Sequence, residues 1–494
     1  MLFNSYIFLF GFLPAALVGF YLLRWLAPAA VVGWLLMSSL IFYGYWDVWN
    51  VPLLVGSIIV NYAIGLRLAA GGQARLATLV FGLAIDLGLI AYFKYAAFIA
   101  ANVSALTGWA FVIQVGLPLA ISFFTFQQIA YLVDCYRGQP AERNLIHYAF
   151  FIAFFPHLIA GPIVLKNDLL TQLPEHRLPH DAEWWFRHLA CGVTLFAFGL
   201  FKKTMIADTA APYATEIFAA AEQGAALSVV ESWGGALAYT LQIYFDFSGY
   251  SDMAIGLALM FGFKLPINFD SPYKATSIID FWRRWHISLS RFLREYLYIP
   301  LGGNRLGATR WAINLMIVMG LGGLWHGAAW TFVLWGLLHG VYLLINHLWR
   351  HMTAAGAPGG RVAHAASWAI TFVAIVVAWV LFKAQTVAGA GTMLKAMAFA
   401  NTWTVDRGGG QGQGYVVLML LAGMLALTLA LPNTQQILRM SMPALSVPRV
   451  PSVAMIARIV WHPNLAWALA VSALLFGTVS FIGGRYSEFI YFNF

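Results

Sequence analysis

Residues 320–340 read GLGGLWHGAAWTFVLWGLLHG, an apolar run that carries two imidazoles, His326 and His339. Gly322, Gly323, Gly327, Ala328 and Ala329 surround the first of them and are small enough to let a neighbouring helix or a flexible ligand approach the backbone. An ionisable side chain at membrane depth is costly to keep, so it faces a bundle interior or a watery cavity and marks function by default. Histidine suits such a place because its neutral ring is cheap to bury and its pKa lies near physiological pH. A packing histidine, hydrogen-bonded across to a neighbouring helix, explains the same residues equally well. The stretch alone leaves both readings open.

The rest of the chain has the same character. Hydrophobic residues make up 61% of its 494 positions and charged residues 10%, with a mean hydropathy of +0.76, well outside the range of soluble globular proteins. The expected fold is an all-α, polytopic membrane bundle, a single domain with about 11 transmembrane helices plus re-entrant or interfacial ones. Residues 1–23 are apolar from the start, with Asn4 the nearest polar group and no basic n-region or small-residue cleavage site, so they read as the first helix. The net charge of +9 is assigned to Lys and Arg in cytoplasmic loops, not to nucleic-acid binding. Cys135 and Cys191 are too few for a disulfide framework and read as small hydrophobes. No metal site is expected.

Candidate spans cover residues 1–23, 29–46, 51–70, 78–100 and 112–133. Arg24, then Arg67 and Arg75, then Arg137 and Arg143 fall at alternate ends, which puts the N-terminus outside the cytoplasm. Residues 1–143 thus read as scaffold. Asp86 and Lys94, in one span, either pair or snorkel to opposite ends, and snorkelling is preferred for Lys94. The core, 144–350, is less regular. In FIAFFPHLIAGPI (151–163), Pro156 and the Gly161-Pro162 pair interrupt a run too short to span, which predicts a re-entrant or hairpin segment with His157 beside the break, either lining its cavity or, the preferred reading, in a structural role. Residues 166–188 read as a polar connection, and 189–201, ending at Lys202 and Lys203, as a short span or a partly internal helix.

The apolar run 233–263 is interrupted by YFDFSGYSD (244–252). Its Asp246, Tyr250 and Asp252 predict a broken or cavity-lining helix, with Asp246 and Tyr250 on one face and Asp252 on another; the alternative is that they cap a kink and hold neighbouring helices. In 278–305, Trp282, His286, Leu289 and Leu293 fall at helical spacing, while Arg283, Arg284, Arg291 and Arg294 occupy other faces. That pattern predicts an interfacial amphipathic helix on the cytoplasmic side, whose arginines match either the phosphates of an anionic cofactor or lipid headgroups. Helices are expected over 311–323 and 324–349, and spans in the C-terminal region, 351–494, near 365–382, 415–431 and 465–482. RGGGQGQG (407–414) reads as a flexible loop, not a phosphate cradle. Arg439, Arg449 and Arg458 mark a cytoplasmic connection, and the terminal SEFIYFNF suits the headgroup region.

Taken together, FPHLIAGPI near residue 155, YFDFSGYSDMAIG with the following Pro-Ile-Asn-Phe and Ser-Pro-Tyr, DFWRRWHISLSRFLREYLYIPLGGNR, GLWHGAAWTFVLWGLLHG and FIYFNF resemble the membrane-bound O-acyltransferases, in their AlgI-like alginate O-acetyltransferase branch. The resemblance covers most of the chain and is densest from Tyr244 to Gly340. It implies a bundle pierced by a funnel or tunnel, with an acyl donor entering from the cytoplasm and an acceptor from the other side. The two family histidines fall on His286 and His326, of which the family treats the second as catalytic.

The implied reaction moves an acetyl group from a cytoplasmic thioester, acetyl-CoA, toward O-acetylation of an exported polysaccharide such as alginate. Acetyl-CoA would be a substrate, with no cofactor bound permanently. His326 would serve as general base, with Trp325 and Trp330 excluding water, Asp246, Tyr250 and Asp252 along the tunnel, and Arg283, Arg284, Arg291 and Arg294 on the donor's phosphates. Whether His326 only moves protons or carries the acyl group stays open. Extracytoplasmic acetyltransferase partners would complete delivery, from a multi-pass protein among the lipids of the inner membrane. The competing readings are D-alanyl transfer from a carrier protein to teichoic acid, a polysaccharide or lipid transporter, and a scaffold in which His326 merely packs.

Overall fold

The computed structural model describes residues 1–173, 181–353, 360–399, 402–405, 407, 413–441, 443–446, 459–482 and 489–490, and among them the only regular element is the helix. In chain order the main helices are α1 (Ile7–Leu26), α2 (Val31–Gly44), α3 (Asn50–Ala69), α4 (Arg75–Thr107), α5 (Ile121–Tyr136), α6 (Leu145–Ala153), α7 (Ala182–Glu222) and α8 (Val229–Met260). They continue with α9 (Ile287–Leu293), α10 (Ala308–His326), α11 (Trp330–Met352), α12 (Arg361–Lys383), α13 (Val387–Phe399), α14 (Gln413–Ala430) and α15 (Leu465–Ile482). Among the described residues, seven helices are long and apolar enough to cross a membrane, and three shorter apolar ones accompany them. The protein is a multi-pass membrane bundle.

Several boundaries differ from the sequence reading. The expected span 112–133 begins only at Ile121, because Pro118 disfavours helix in the residue before it and Ala120 adopts a left-handed φ of 63°. Residues 189–201 are not a short span of their own but part of a longer, partly internal helix. They lie inside α7, which starts at Ala182, where the Asp181 carboxylate accepts from the Trp184 amide at 2.7 Å.

The expected break at 244–252 is absent: α8 runs unbroken for 32 residues. At its start, Ser228 Oγ accepts from Glu231 N while the Glu231 carboxylate accepts from Ser228 N, at 3.1 and 3.0 Å. At its end the chain turns at Gly262, φ 79°, where Phe263 N and Gly262 N return to the carbonyls of Ala258 and Leu259. The mid-helix acids need no break because α7 brings cations to them. Lys203 contacts Asp246 at 2.7 Å and Asp208 at 2.8 Å, and Lys202 contacts Asp252 at 2.6 Å. Both lysines sit at the start of a π-turn, Lys202–Ala207. Gln435 also donates to Asp252, at 3.1 Å, and the amide of Ile490 to Asp246, at 2.9 Å. These residues therefore hold neighbouring helices, and no kink accompanies them.

Pairing of this kind requires α7 and α8 to lie close together, and two facing glycine pairs permit it. A β-carbon on Gly256 would stand 2.6 Å from the Gly192 carbonyl oxygen, and one on Gly249 would stand 2.7 Å from that of Gly199. At the other end of the chain, Phe489 is not at a headgroup surface: it is buried and stacked 4.6 Å from Tyr250. The loop expected at 407–414 and the basic connection at Arg449 and Arg458 fall largely outside the described residues.

Gly256→Leu is expected to force α7 and α8 apart and destabilise the bundle by about 1–3 kcal/mol, read as a lower thermal midpoint in detergent. Gly88→Ala, where a β-carbon meets nothing within 4 Å, is expected to leave the midpoint unchanged.

Candidate active site

α10 stops at His326. Gly327 is extended, φ −167° and ψ 150°, the chain turns through Ala328 and Ala329, and α11 begins at Trp330. The break expected between residues 323 and 324 thus falls three residues later. The two helices form a tight antiparallel hairpin, in which a β-carbon on Gly323 would stand 3.0 Å from the Gly336 Cα. That closeness brings α11 side chains onto the end of α10. His326, 2% exposed, has its ring centroid 5.2 Å from Trp335, 5.1 Å from Phe382 of α12 and 4.9 Å from Trp325. One turn further along α11, His339 packs against Trp335 at 4.9 Å and stacks on Phe281 at 5.9 Å.

His286 arrives from a different direction. The amphipathic helix expected over 278–305 does not form: a short helix, Ile278–Trp282, stops, and α9 starts after His286. His286 takes a left-handed φ of 43°, a conformation uncommon outside glycine and held only where surroundings over-determine it. Asn268 supplies that constraint. Its backbone carbonyl accepts from Ile287 N at 3.0 Å, and its side-chain oxygen accepts from Ser288 N at 3.2 Å and Ser288 Oγ at 2.9 Å. His286 Nδ1 is 3.2 Å from the same oxygen. An atom that already accepts two hydrogen bonds is an acceptor for the third, so Nδ1 donates and Nε2 is the basic nitrogen of the neutral ring. The rings of His286 and His326 lie 6.2 Å apart between centroids, and Phe247 of α8 meets His286 edge-on at 4.7 Å.

The proline-broken segment 151–163 closes this loop from behind. α6 ends at Ala153, a short helix covers Phe155–Leu158, and Ile163 N donates to Ser288 Oγ at 2.9 Å. His157 lies buried beside Gln127, 3.4 Å from its Nε2.

One residue read as snorkelling lies at the centre instead. Lys94, 9% exposed, has its amine on groups of α10 and α5 and not on Asp86. Its Nζ donates to the Trp325 carbonyl at 2.5 Å and to Ser122 Oγ at 3.3 Å, and stands 5.7 Å over the Trp325 ring. Asp86 accepts instead from Asn61, at 2.8 Å. Phe123 and Phe126 of α5 flank the same indole at 5.4 and 5.3 Å. A lysine in the middle of an apolar run was the only signal in the sequence, and its partner lies 231 residues away.

Other expected site residues lie elsewhere. Trp330 is 54% exposed and bonded to Asn102 at 2.9 Å; Trp335 and Phe382 wall His326 in its place. Asp246 and Asp252 belong to the ionic layer between α7 and α8, and Tyr250 is sandwiched by Phe3 at 4.8 Å and Phe489. Of the four arginines, Arg291 pairs with Asp168, and Arg284 with Asp280 at 2.8 Å. Both hold loops, whereas Arg283 and Arg294 are exposed.

A family model described as "MBOAT, membrane-bound O-acyltransferase family" matches residues 136–387. The chain belongs to the membrane-bound O-acyltransferase family. It is 40% identical, over the full length of both chains, to the "Probable alginate O-acetylase AlgI" of Pseudomonas putida. It is 45% identical to the protein so described in Pseudomonas aeruginosa, over 82% of this chain and 76% of the relative. With the "Peptidoglycan O-acetyltransferase" of Helicobacter pylori it shares 42% identity over 81% of this chain and 80% of the relative. The protein is therefore a membrane O-acyltransferase. The matched segment of this acyltransferase holds Asn268, His286, His326 and His339 but not Lys94.

Asn268→Ala is expected to leave three donors without their acceptor and to cost about 1–3 kcal/mol, seen as a lower thermal midpoint in detergent. Acyl transfer should fall more than tenfold on the scale of a lost acid–base group, measured per amount of membrane protein.

Proposed function

We propose that the protein takes an acetyl group from acetyl-CoA at the cytoplasmic face of the inner membrane and passes it on for O-acetylation of an exported polysaccharide such as alginate. The observation that carries this reading is the pair of buried imidazoles 6.2 Å apart at two helix breaks, inside a chain with a full-length relative described as a probable alginate O-acetylase. The acetyl and polysaccharide assignments rest on the relatives' descriptions, and the roles of the residues on geometry.

In this mechanism the acceptor hydroxyl sits between the rings and His326 takes its proton as the oxygen attacks the thioester carbonyl. The C–O bond forms, the C–S bond breaks, and the thiolate leaves with the proton returned by the imidazolium. His286, oriented by Asn268, holds the acceptor or the developing oxyanion. The walls of Trp325, Trp335 and Phe382 keep water from the thioester and so limit hydrolysis. Arg283 and Arg294, the exposed arginines of this region, are the ones assigned to the donor's phosphates. Extracytoplasmic acetyltransferase partners receive the group and deliver it to the polymer.

The test uses cells lacking the native gene, complemented with wild type or His326→Ala. Loss of polymer acetylation by at least about a hundredfold, at equal membrane abundance and unchanged polymer export, is expected. Retained acetylation would remove His326 from the chemistry, and lost export would favour a transporter. Membrane vesicles given [14C]acetyl-CoA on the cytoplasmic face check the donor: label should reach the polymer without added carrier protein, and a strict need for an acylated carrier would overturn the acetyl-CoA assignment.

A further inference from the structure

We infer that Lys94 and Tyr95 form a positioning device for His326: together they cap the carbonyl end of α10 from α4 and so set where the catalytic imidazole stands. The inference rests on the role proposed for His326. A helix leaves its last four carbonyls without intrahelical amides, and in α10 the extended Gly327 carries the chain away without the left-handed turn that would satisfy them. With Trp325 and His326 buried, no bulk water replaces those partners. Two consecutive side chains of α4 do. Tyr95 Oη donates to the Leu324 carbonyl at 2.9 Å, and Lys94 Nζ donates to the Trp325 carbonyl at 2.5 Å.

The local structure of α4 suits this task. Lys94 and Tyr95 close a π-turn, Ala91–Tyr95, inside an otherwise α-helical span, and such single wide turns recur where a helix re-aims side chains for function. An amine is also the favoured group at a helix C-terminus, where the backbone dipole is negative. Lys94 makes further contacts with Ser122 Oγ and, over its face, with the Trp325 indole. The carbonyl it holds is that of the residue immediately before His326, so a shift there rotates the imidazole directly. A misplacement of about 1 Å at a reacting group can cost about a hundredfold in rate, whereas binding of the donor elsewhere would be little affected.

The experiment compares wild type, Lys94→Met, Lys94→Arg, Tyr95→Phe, His326→Ala and the Lys94→Met/His326→Ala double variant in membrane vesicles given [14C]acetyl-CoA. Maximal rates are normalised to the amount of protein, and KM for acetyl-CoA is measured alongside. Lys94→Met should lower the maximal rate ten- to a hundredfold with KM changed less than about twofold. Lys94→Arg, which keeps a cationic donor, should recover a substantial part of the loss. Tyr95→Phe should lower the rate about threefold, a modest effect for one hydrogen bond. In the His326→Ala background, Lys94→Met should cause no further fall, because the two act as one unit.

A wild-type rate in Lys94→Met overturns the inference, as does a loss confined to KM or a further fall on top of His326→Ala. Should Lys94→Met fail to accumulate in the membrane, Tyr95→Phe decides: a wild-type rate there overturns the inference. If His326→Ala itself keeps the wild-type rate, the general-base reading fails whatever Lys94 does. An inactive His326→Ala beside a fully active Lys94→Met overturns only the positioning role.

Discussion

Every break in a helix at membrane depth exposes backbone groups that only the protein can satisfy, and the interior of this acyltransferase is arranged around that requirement. Three breaks converge on one region, and each is answered by polar groups from outside the break. Where α6 ends, Phe155 N donates to Ser39 Oγ at 3.0 Å, and further on Ile163 N donates to Ser288. Around His286, Asn268 takes up the loop amides. At the end of α10, Lys94 and Tyr95 hold the carbonyls. The breaks are what let imidazoles project from helix ends into a shared interior, and the polar side chains are what make the breaks tolerable.

Buried ion pairs lie between α7 and α8, while Lys94 brings an amine into the region of the breaks. The acids of α8 and the lysines of α7 form a compact ionic layer, Lys203 serving both Asp208 and Asp246 while Lys202 serves Asp252. Such a layer adds little net stability over an apolar equivalent, yet removing one member would leave a buried charge uncompensated at a cost of about 3–5 kcal/mol. Its place in the fold is to lock two long helices whose glycine faces already touch. The imidazoles lie among indoles and phenyl rings, where a neutral base is tolerated, and the Lys94 amine beside them is held by a carbonyl, a hydroxyl and an indole face.

The division of the chain into scaffold and core changes in this light. Spans before residue 143 look uniform by hydropathy, yet α4 and α5 contribute Lys94, Tyr95, Phe123 and Phe126 to the surroundings of Trp325. The candidate site is thus built across both parts, with the N-terminal helices fixing the end of α10 and the segments from α6 to α12 supplying the rings around it.

Much of this was legible in the residues themselves. Apolar runs of bilayer length require helices, Pro156 and Gly161-Pro162 require a break, and the small residues around His326 signal a close approach of another helix or a ligand to the backbone. Those features are local, carried by neighbouring residues and by the energetics of backbone and lipid. What only the tertiary structure decided is how each polar residue is answered. YFDFSGYSD reads as a broken or cavity-lining helix until Lys202 and Lys203 are seen beside its acids, and RRWHISL reads as a continuous amphipathic helix until Asn268 bends it at His286. Lys94 reads as a snorkelling lysine until its partner, 231 residues on, is in place. A polar group in an apolar run states a debt of solvation; which distant group settles it depends on packing, and packing has no local periodicity to read.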